Sequence, residues 1–261
     1  MIQINKEEII KLLSKNMVNN CGEIIEIEVG GIEFYIKNEN SDDRLIAYKF
    51  RDDATFEIVT NDDDFCRDCF CKIEENPLSK IFLKLSPQKR NLLNEIKEKY
   101  TVEFINKSKN LCLKEPYNKS LSNVNIKKLS VEDEELSNKF HSSPKRGRPD
   151  FQTLFKLFVK DTSMCKGSTI YAVIENEKIV AYLSCFIFKD NIYDVDYVFV
   201  IPEKRGFGIG AELIKYYVED IISIGGIPRY GNAENEFSWN AAEKAGFIVI
   251  REIDKYLVQA I

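Results

Sequence analysis

The run YVFVIPEKRGFGIGAELI, from Tyr197 to Ile214, constrains the chain more than any other stretch. An apolar segment ends at Pro202, a loop follows with glycines at 206, 208 and 210, and an amphipathic helix begins at once. Glycine lets the main chain approach a ligand closely and adopt angles that other residues resist. The first N–H groups of a helix have no intrahelical partner, and the helix dipole adds positive potential beside them. Strand, glycine loop and helix start together make an anion site suited to phosphate or pyrophosphate, with Arg205 as a fixed charge beside it. Spacing excludes two nucleotide loops. The glycines alternate as G-x-G-x-G where a dinucleotide fingerprint needs G-x-G-x-x-G, and Ala211-Glu212 stand where a Walker A loop needs Lys-Ser or Lys-Thr.

Around this run the sequence predicts an ordered set of elements. NVNIKKL reads as a strand, SVEDEELSNKF as a helix capped by Ser130 with Asp133 three residues on, and FQTLFKLFV as a second helix. HSSPKRGRPD, from His141 to Asp150, reads as a solvated loop between the two helices, with a binding patch of its three basic residues as the alternative. TIYAVIEN, KIVAYLSCFIFKD and NIYDVDYVFVI are three strands in succession, turning at Glu175-Asn176-Glu177 and Lys189-Asp190-Asn191. The helix after the glycine loop carries Leu213, Ile214, Tyr217, Val218, Ile221 and Ile222 on its apolar stripe. IPRYGN is a strand, Glu236 to Lys244 a helix, and FIVIRE and KYLVQ two closing strands.

Upstream, EPYNKSLSN (115–123) has the composition of a linker, which places a boundary between a first domain, 1–118, and a second, 119–261. The first domain opens with an amphipathic helix around Ile9, Ile10, Leu12 and Leu13. EIIEIEV and GIEFYIK alternate apolar and polar residues and read as a hairpin turning on Gly30-Gly31. RLIAYKF and TFEIVT read as strands separated by Asp52-Asp53, a helix passes through Leu92, Leu93 and Ile96, and VEFI and LCL are short strands. Cys66, Cys69 and Cys71 cluster in FCRDCFC. A tetrahedral zinc site wants a second ligand pair that the sequence lacks, so Cys66, Cys69 and Phe70 read as the inward side of a short helix and no metal is expected.

The second half resembles the GNAT acetyltransferase superfamily. Its hallmark, Gln/Arg-x-x-Gly-x-Gly/Ala, is matched by Arg205, Gly208 and Gly210, and the valine and proline that commonly precede it by Val200 and Pro202. NEFSWNAAEKAGF is similar to the family's next helix and its Gly-Phe end, through Asn235, Ser238, Gly246 and Phe247. The resemblance implies an α+β chain: a mixed, mostly antiparallel, splayed sheet flanked by helices, preceded by a smaller α+β domain. That first domain reads either as independent or as a degenerate half of the same fold, walling the acceptor cleft or forming a homodimer contact.

The resemblance also implies a site. Backbone N–H groups of Arg205, Gly206, Phe207, Gly208, Ile209 and Gly210 cradle the pyrophosphate of coenzyme A. Pantetheine pairs with the strand edge at Val198, Phe199 and Val200, beside Asn235 and Ser238. A substrate amine, on a small molecule or a peptide, attacks the thioester of acetyl-CoA directly. A backbone N–H near Val198 or Phe199 stabilises the oxyanion, a term worth roughly 3–4 kcal/mol. Period-two alternation puts Asp194 and Asp196 on the face of Val198 and Val200, as candidate bases or as solvated strand-end carboxylates. The family's usual tyrosine, four residues before Gly-Phe, is Ala242 here, which leaves Tyr230 and Tyr256 as candidate acids or as core residues. A noncatalytic acyl-CoA sensor is the competing reading.

Composition closes off other classes. A net charge of −5 over 261 residues gives no reason to expect nonspecific nucleic-acid binding, which needs a clustered basic surface. No run approaches the roughly 20 apolar residues of a membrane span, and the start MIQINKEEII does not read as a signal peptide, so the expected compartment is the cytoplasm.

Overall fold

The computed structural model describes residues 1–37, 45–50, 55–75, 80–89, 91–114, 124–129, 133 and 165–260. It divides into two compact units, residues 1–110 with 251–261, and residues 111–250. The boundary expected at 118/119 lies outside the described residues, as do the Asp52-Asp53 turn, the loop at 141–150, the helix at 151–159 and all but Asp133 of the helix at 130–140. The division also returns the last eleven residues to the first unit, which the linear boundary does not anticipate.

The first unit runs β1 (Ile2–Ile4), α1 (Lys6–Leu13), α2 (Met17–Gly30), β2 (Gly31–Ile36), β3 (Ile46–Phe50), β4 (Thr55–Val59), α3 (Asp63–Glu75), β5 (Lys80–Leu85), α4 (Leu92–Ile96) and β6 (Tyr100–Leu113). Asn5 and Glu8 cap α1 reciprocally, each side chain accepting the other's backbone N–H at 2.9–3.0 Å. Strands β1 to β4 pair antiparallel in order, and β5 joins β4 in parallel by way of α3. Residues 254–258 of the final strand, β12 (Phe247–Ala260), pair antiparallel with β5. On α3, Cys66, Cys69 and Phe70 are buried, while Cys71 is exposed.

Several expectations for this unit are corrected. EIIEIEV is helical: Met17, Asn20, Ile24 and Ile27 are the buried face of α2, and their 3-4-3 spacing wins over the two-residue alternation. The glycines after it make no turn. Gly31 caps the helix at φ −70°, and a Cβ on Gly30 or Gly31 would lie 2.7 or 2.6 Å from the rings of Phe50 or Phe34. VEFI and LCL are one continuous strand, β6, and KIFLKL is a strand, β5, that the reading omits.

The second unit runs β7 (Ile126–Lys128), β8 (Cys165–Glu175), β9 (Lys178–Phe188), β10 (Ile192–Val200), α5 (Ile209–Ser223), β11 (Ile227–Ala233) and α6 (Glu236–Lys244). Asn176 and Glu177, and Asp190 and Asn191, take positive φ at the expected turns. FIVIRE and KYLVQ belong to the single strand β12. The stripe of α5 is buried as expected except for Ile222, which is 42% exposed. β7 to β10 pair antiparallel in order, and β11 joins β10 in parallel by way of α5.

The two units therefore repeat one order: four antiparallel strands, a crossover helix, a parallel strand, then a helix and a long strand. The first unit departs from the second at its crossover. Its β4 pairs with β5 over all five residues, and Thr60 N–H carries the ladder on to Lys84 at 3.3 Å. Where the second unit has glycines around the start of its crossover helix, the first has Asp62, Asp63 and Asp64. Asp62 Oδ1 accepts the Phe65 N–H at 2.8 Å and the carboxylate pairs with Lys37, so this helix start already holds an anion of its own.

Candidate functional site

In the second unit the parallel pairing of β10 and β11 covers only 192–194 against 227–229. Beyond it, both strands line a cleft of about 880 Å³. β10 contributes residues 195–200, β11 contributes 230–233, and α6 contributes Phe237, Ser238, Asn240 and Ala241. The remaining wall is the loop after β10, with Arg205, Gly206 and Gly208, and the start of α5 at Ile209 and Gly210.

That loop is built for an anion. Gly206 and Gly208 sit at φ 84° and 80°, where a side chain is strained, and nothing lies within 4 Å of the Cβ either would carry. Gly208 is the N-cap of α5 and offers no side-chain cap, which leaves the first helical N–H groups to the cleft. Arg205 is exposed and braced: its Nε donates to the Val200 carbonyl at 3.0 Å, and its guanidinium lies 6.0 Å from the Phe199 ring centre. Phe207, at the tip of the loop, is 78% exposed and does not line the cleft.

Elsewhere in the lining the side chains are polar and fixed. Asn235 caps α6 by accepting the Ser238 N–H at 2.9 Å, and Ser238 Oγ lies 2.7 Å from the Tyr230 hydroxyl. Tyr230 packs edge-on against Phe247, and burial pushes its phenol up to about 12, so it stays protonated through the neutral range. Asp196 is half-buried and accepts from Ser184 Oγ at 3.3 Å.

The sequence-derived candidates separate here. Asp196, Tyr230, Val198, Phe199, Val200, Arg205, Gly206, Gly208, Ile209, Gly210, Asn235 and Ser238 all line one cleft. Asp194 is not placed as a base: it is buried, ion-paired with Arg229, and accepts the Gly231 N–H at 2.9 Å. Its alternation with Asp196 fails because the register of β10 against β9 shifts between Val195 and Tyr197. Tyr256 belongs to the core of the first unit, where its hydroxyl donates to Asp254 at 3.3 Å. Sequence reasoning gives no site role to Ser184, Tyr217 or Arg229. An arginine inside the strand IPRYGN is the signal available for the last, because a buried charge needs a partner.

Residues 131–247 match the acetyltransferase (GNAT) family. No curated protein matches the chain. Among solved structures, an acetyltransferase of the GNAT family from Colwellia psychrerythraea superposes with a TM-score of 0.61 at 10% identity, covering 100% of this chain and 99% of that one. A Drosophila protein superposes at 0.57 and 13% identity, covering 99% and 98%. A GCN5-related N-acetyltransferase-like protein from Streptococcus suis superposes at 0.51 and 13% identity, covering 98% and 100%. At these identities the likeness is one of fold, and it extends over both units. Among the described residues, no helix is long and apolar enough to cross a membrane.

Proposed function

Since the C-terminal half of the chain is a GNAT acetyltransferase domain, we propose that the protein is an N-acetyltransferase that moves the acetyl group of acetyl-CoA onto a primary amine. The observation that carries this reading is the crevice between β10 and β11, lined by both an uncapped helix start and a buried phenol. The residues present fit the coenzyme. The N–H groups of residues 206–210 take the pyrophosphate with Arg205 beside them, and the free edge of β10 at 198–200 takes the pantetheine amides. When bound, acetyl-CoA supplies an acyl group activated as a thioester.

The chain supplies position, charge and protons. Backbone N–H groups beyond the shift in β10 stabilise an oxyanion. Asp196, held by Ser184, is the carboxylate placed to take a proton from the amine, directly or through water. Tyr230 keeps its proton at neutral pH and gives it to the departing thiolate, directly or through the Ser238 hydroxyl, and solvent restores it as Asp196 releases the amine proton. Tyr230→Phe should lower kcat about 100-fold and leave KM for acetyl-CoA within about twofold, as measured by thiol release.

Turnover tests the proposal: free thiol released from acetyl-CoA with at least one member of a broad panel of amines. Since the equivalent crevice of the first unit is closed and its helix start holds Asp62, calorimetry should find one coenzyme per chain. Ala242, fully buried where the family's tyrosine would stand, favours a second reading, an acyl-CoA sensor. Tight binding with no thiol release across the panel would select the sensor.

A further inference from the structure

The crevice opens at a definite rung. In the register that ends at Asp194 and Arg229, the next β11 amide, Gly231 N–H, would bond to the Val195 carbonyl of β10. It donates instead to Oδ1 of the Asp194 side chain at 2.9 Å. The other carboxylate oxygen is ion-paired with Nη1 of Arg229, so one side chain ties the two strands together at the point where they part. Tyr217 of α5 lies behind them. Its oxygen accepts the Arg229 N–H at 3.1 Å, and its hydroxyl bonds to the Tyr193 carbonyl.

All three side chains are deeply buried: Arg229 is 1% exposed, Asp194 8% and Tyr217 0%. Position 231 must be glycine for the guanidinium to lie across it, since a Cβ there would sit 2.1 Å from Nη1. A buried ion pair is weak evidence for stability, because desolvation offsets much of the attraction. This one sits at the single rung where the ladder has to stop.

We propose that Asp194, Arg229 and Tyr217 are positioning residues that end the β10–β11 ladder and hold the coenzyme crevice open, with the Asp194 carboxylate capping Gly231 N–H in place of a strand carbonyl. The inference rests on reading the crevice as the coenzyme site. With its amide capped by a side chain, β11 has no reason to zip onto β10 beyond Arg229, and the edge of β10 stays available to a ligand.

Two variants separate capping from mere packing. Asp194→Asn and Asp194→Ala both remove the charge that faces Arg229, so both should lower Tm. Only asparagine keeps an oxygen for Gly231. With coenzyme A itself as the probe, calorimetry should give a Kd raised about tenfold or more in Asp194→Ala and within about threefold of wild type in Asp194→Asn. KM for acetyl-CoA should follow Kd while kcat changes little. In the ligand-free protein, the Gly231 amide should exchange about tenfold faster in Asp194→Ala and at the wild-type rate in Asp194→Asn. If Asp194→Ala fails to fold, the double variant Asp194→Ala/Arg229→Met removes both charges and serves the same comparison. A folded alanine variant with wild-type affinity and Gly231 protection would overturn the proposal, as would equal losses in both single variants. If wild type does not bind coenzyme A, the functional reading falls, and the Gly231 exchange rates still decide whether Asp194 caps the ladder.

Discussion

Gly208→Glu should abolish the thermal stabilisation that acetyl-CoA gives the wild-type protein. A ligand that binds only the folded state stabilises it by about 2.7 kcal/mol at a hundredfold excess over Kd. The glutamate removes that gain in two ways. Gly208 sits at φ 80°, where any L-residue is strained by about 1–2 kcal/mol, and that strain shifts the loop. The new carboxylate also occupies the helix start that the pyrophosphate requires, bringing like charge to the one place where N–H groups await an anion. Gly208→Ala carries the strain without the charge, so it should keep a reduced, dose-dependent shift. Differential scanning fluorimetry with and without millimolar acetyl-CoA reads all three proteins. A full shift in a folded Gly208→Glu variant would remove the glycine loop from the binding site.

The loop was legible in the sequence because its constraint is local: positive φ demands glycine wherever the chain goes next. The bounds of α6 were legible for the same reason, since Asn235 caps its own helix and Gly246 follows its end. Features set by tertiary pairing were not. The register shift between Val195 and Tyr197 leaves no mark on the alternation of IYDVDYVFV, so Asp194 and Asp196 looked equivalent although one is buried against Arg229 and the other borders the cleft. EIIEIEV satisfies both periods, and only the burial of Met17, Asn20, Ile24 and Ile27 together selects the helix. The return of residues 254–258 to β5 is a long-range pairing, which no local pattern encodes. The acidic loop Asp62-Asp63-Asp64 was in plain view. Its meaning appears only once the repeated order of elements puts it in the place that Arg205 and the glycines hold in the second unit.

The second large effect lies in the first unit, where a lysine is buried between two carboxylates. Lys84 of β5 pairs with Glu57 of β4 and, at 2.9 Å, with Glu26 of α2, which also accepts the Tyr48 hydroxyl at 2.5 Å. Burial pushes Glu57 above the usual carboxylate range, against the pull of Lys84. Burial also raises Glu26, but there Lys84 and Tyr48 win and the net shift is downward. Burial would lower Lys84, yet the two glutamates hold it well above its ordinary value. Lys84→Met keeps the apolar stem but leaves the buried Glu57 without its cation and the part-exposed Glu26 without one of its partners, at a cost of about 3–5 kcal/mol. That is a large part of the roughly 5–15 kcal/mol that holds a domain folded. The loss should depend on pH with a definite sign. Without the cation, Glu57 loses the partner that opposes its upward shift and titrates still further above the unfolded glutamate value of about 4.3, so the native variant binds more protons than its unfolded chain and gains stability as pH falls. The gap between wild type and Lys84→Met in urea melts should therefore narrow from about pH 8 to about pH 5. A gap of constant size over that range would mean that the lysine acts through packing alone and that the stranded carboxylates find other partners.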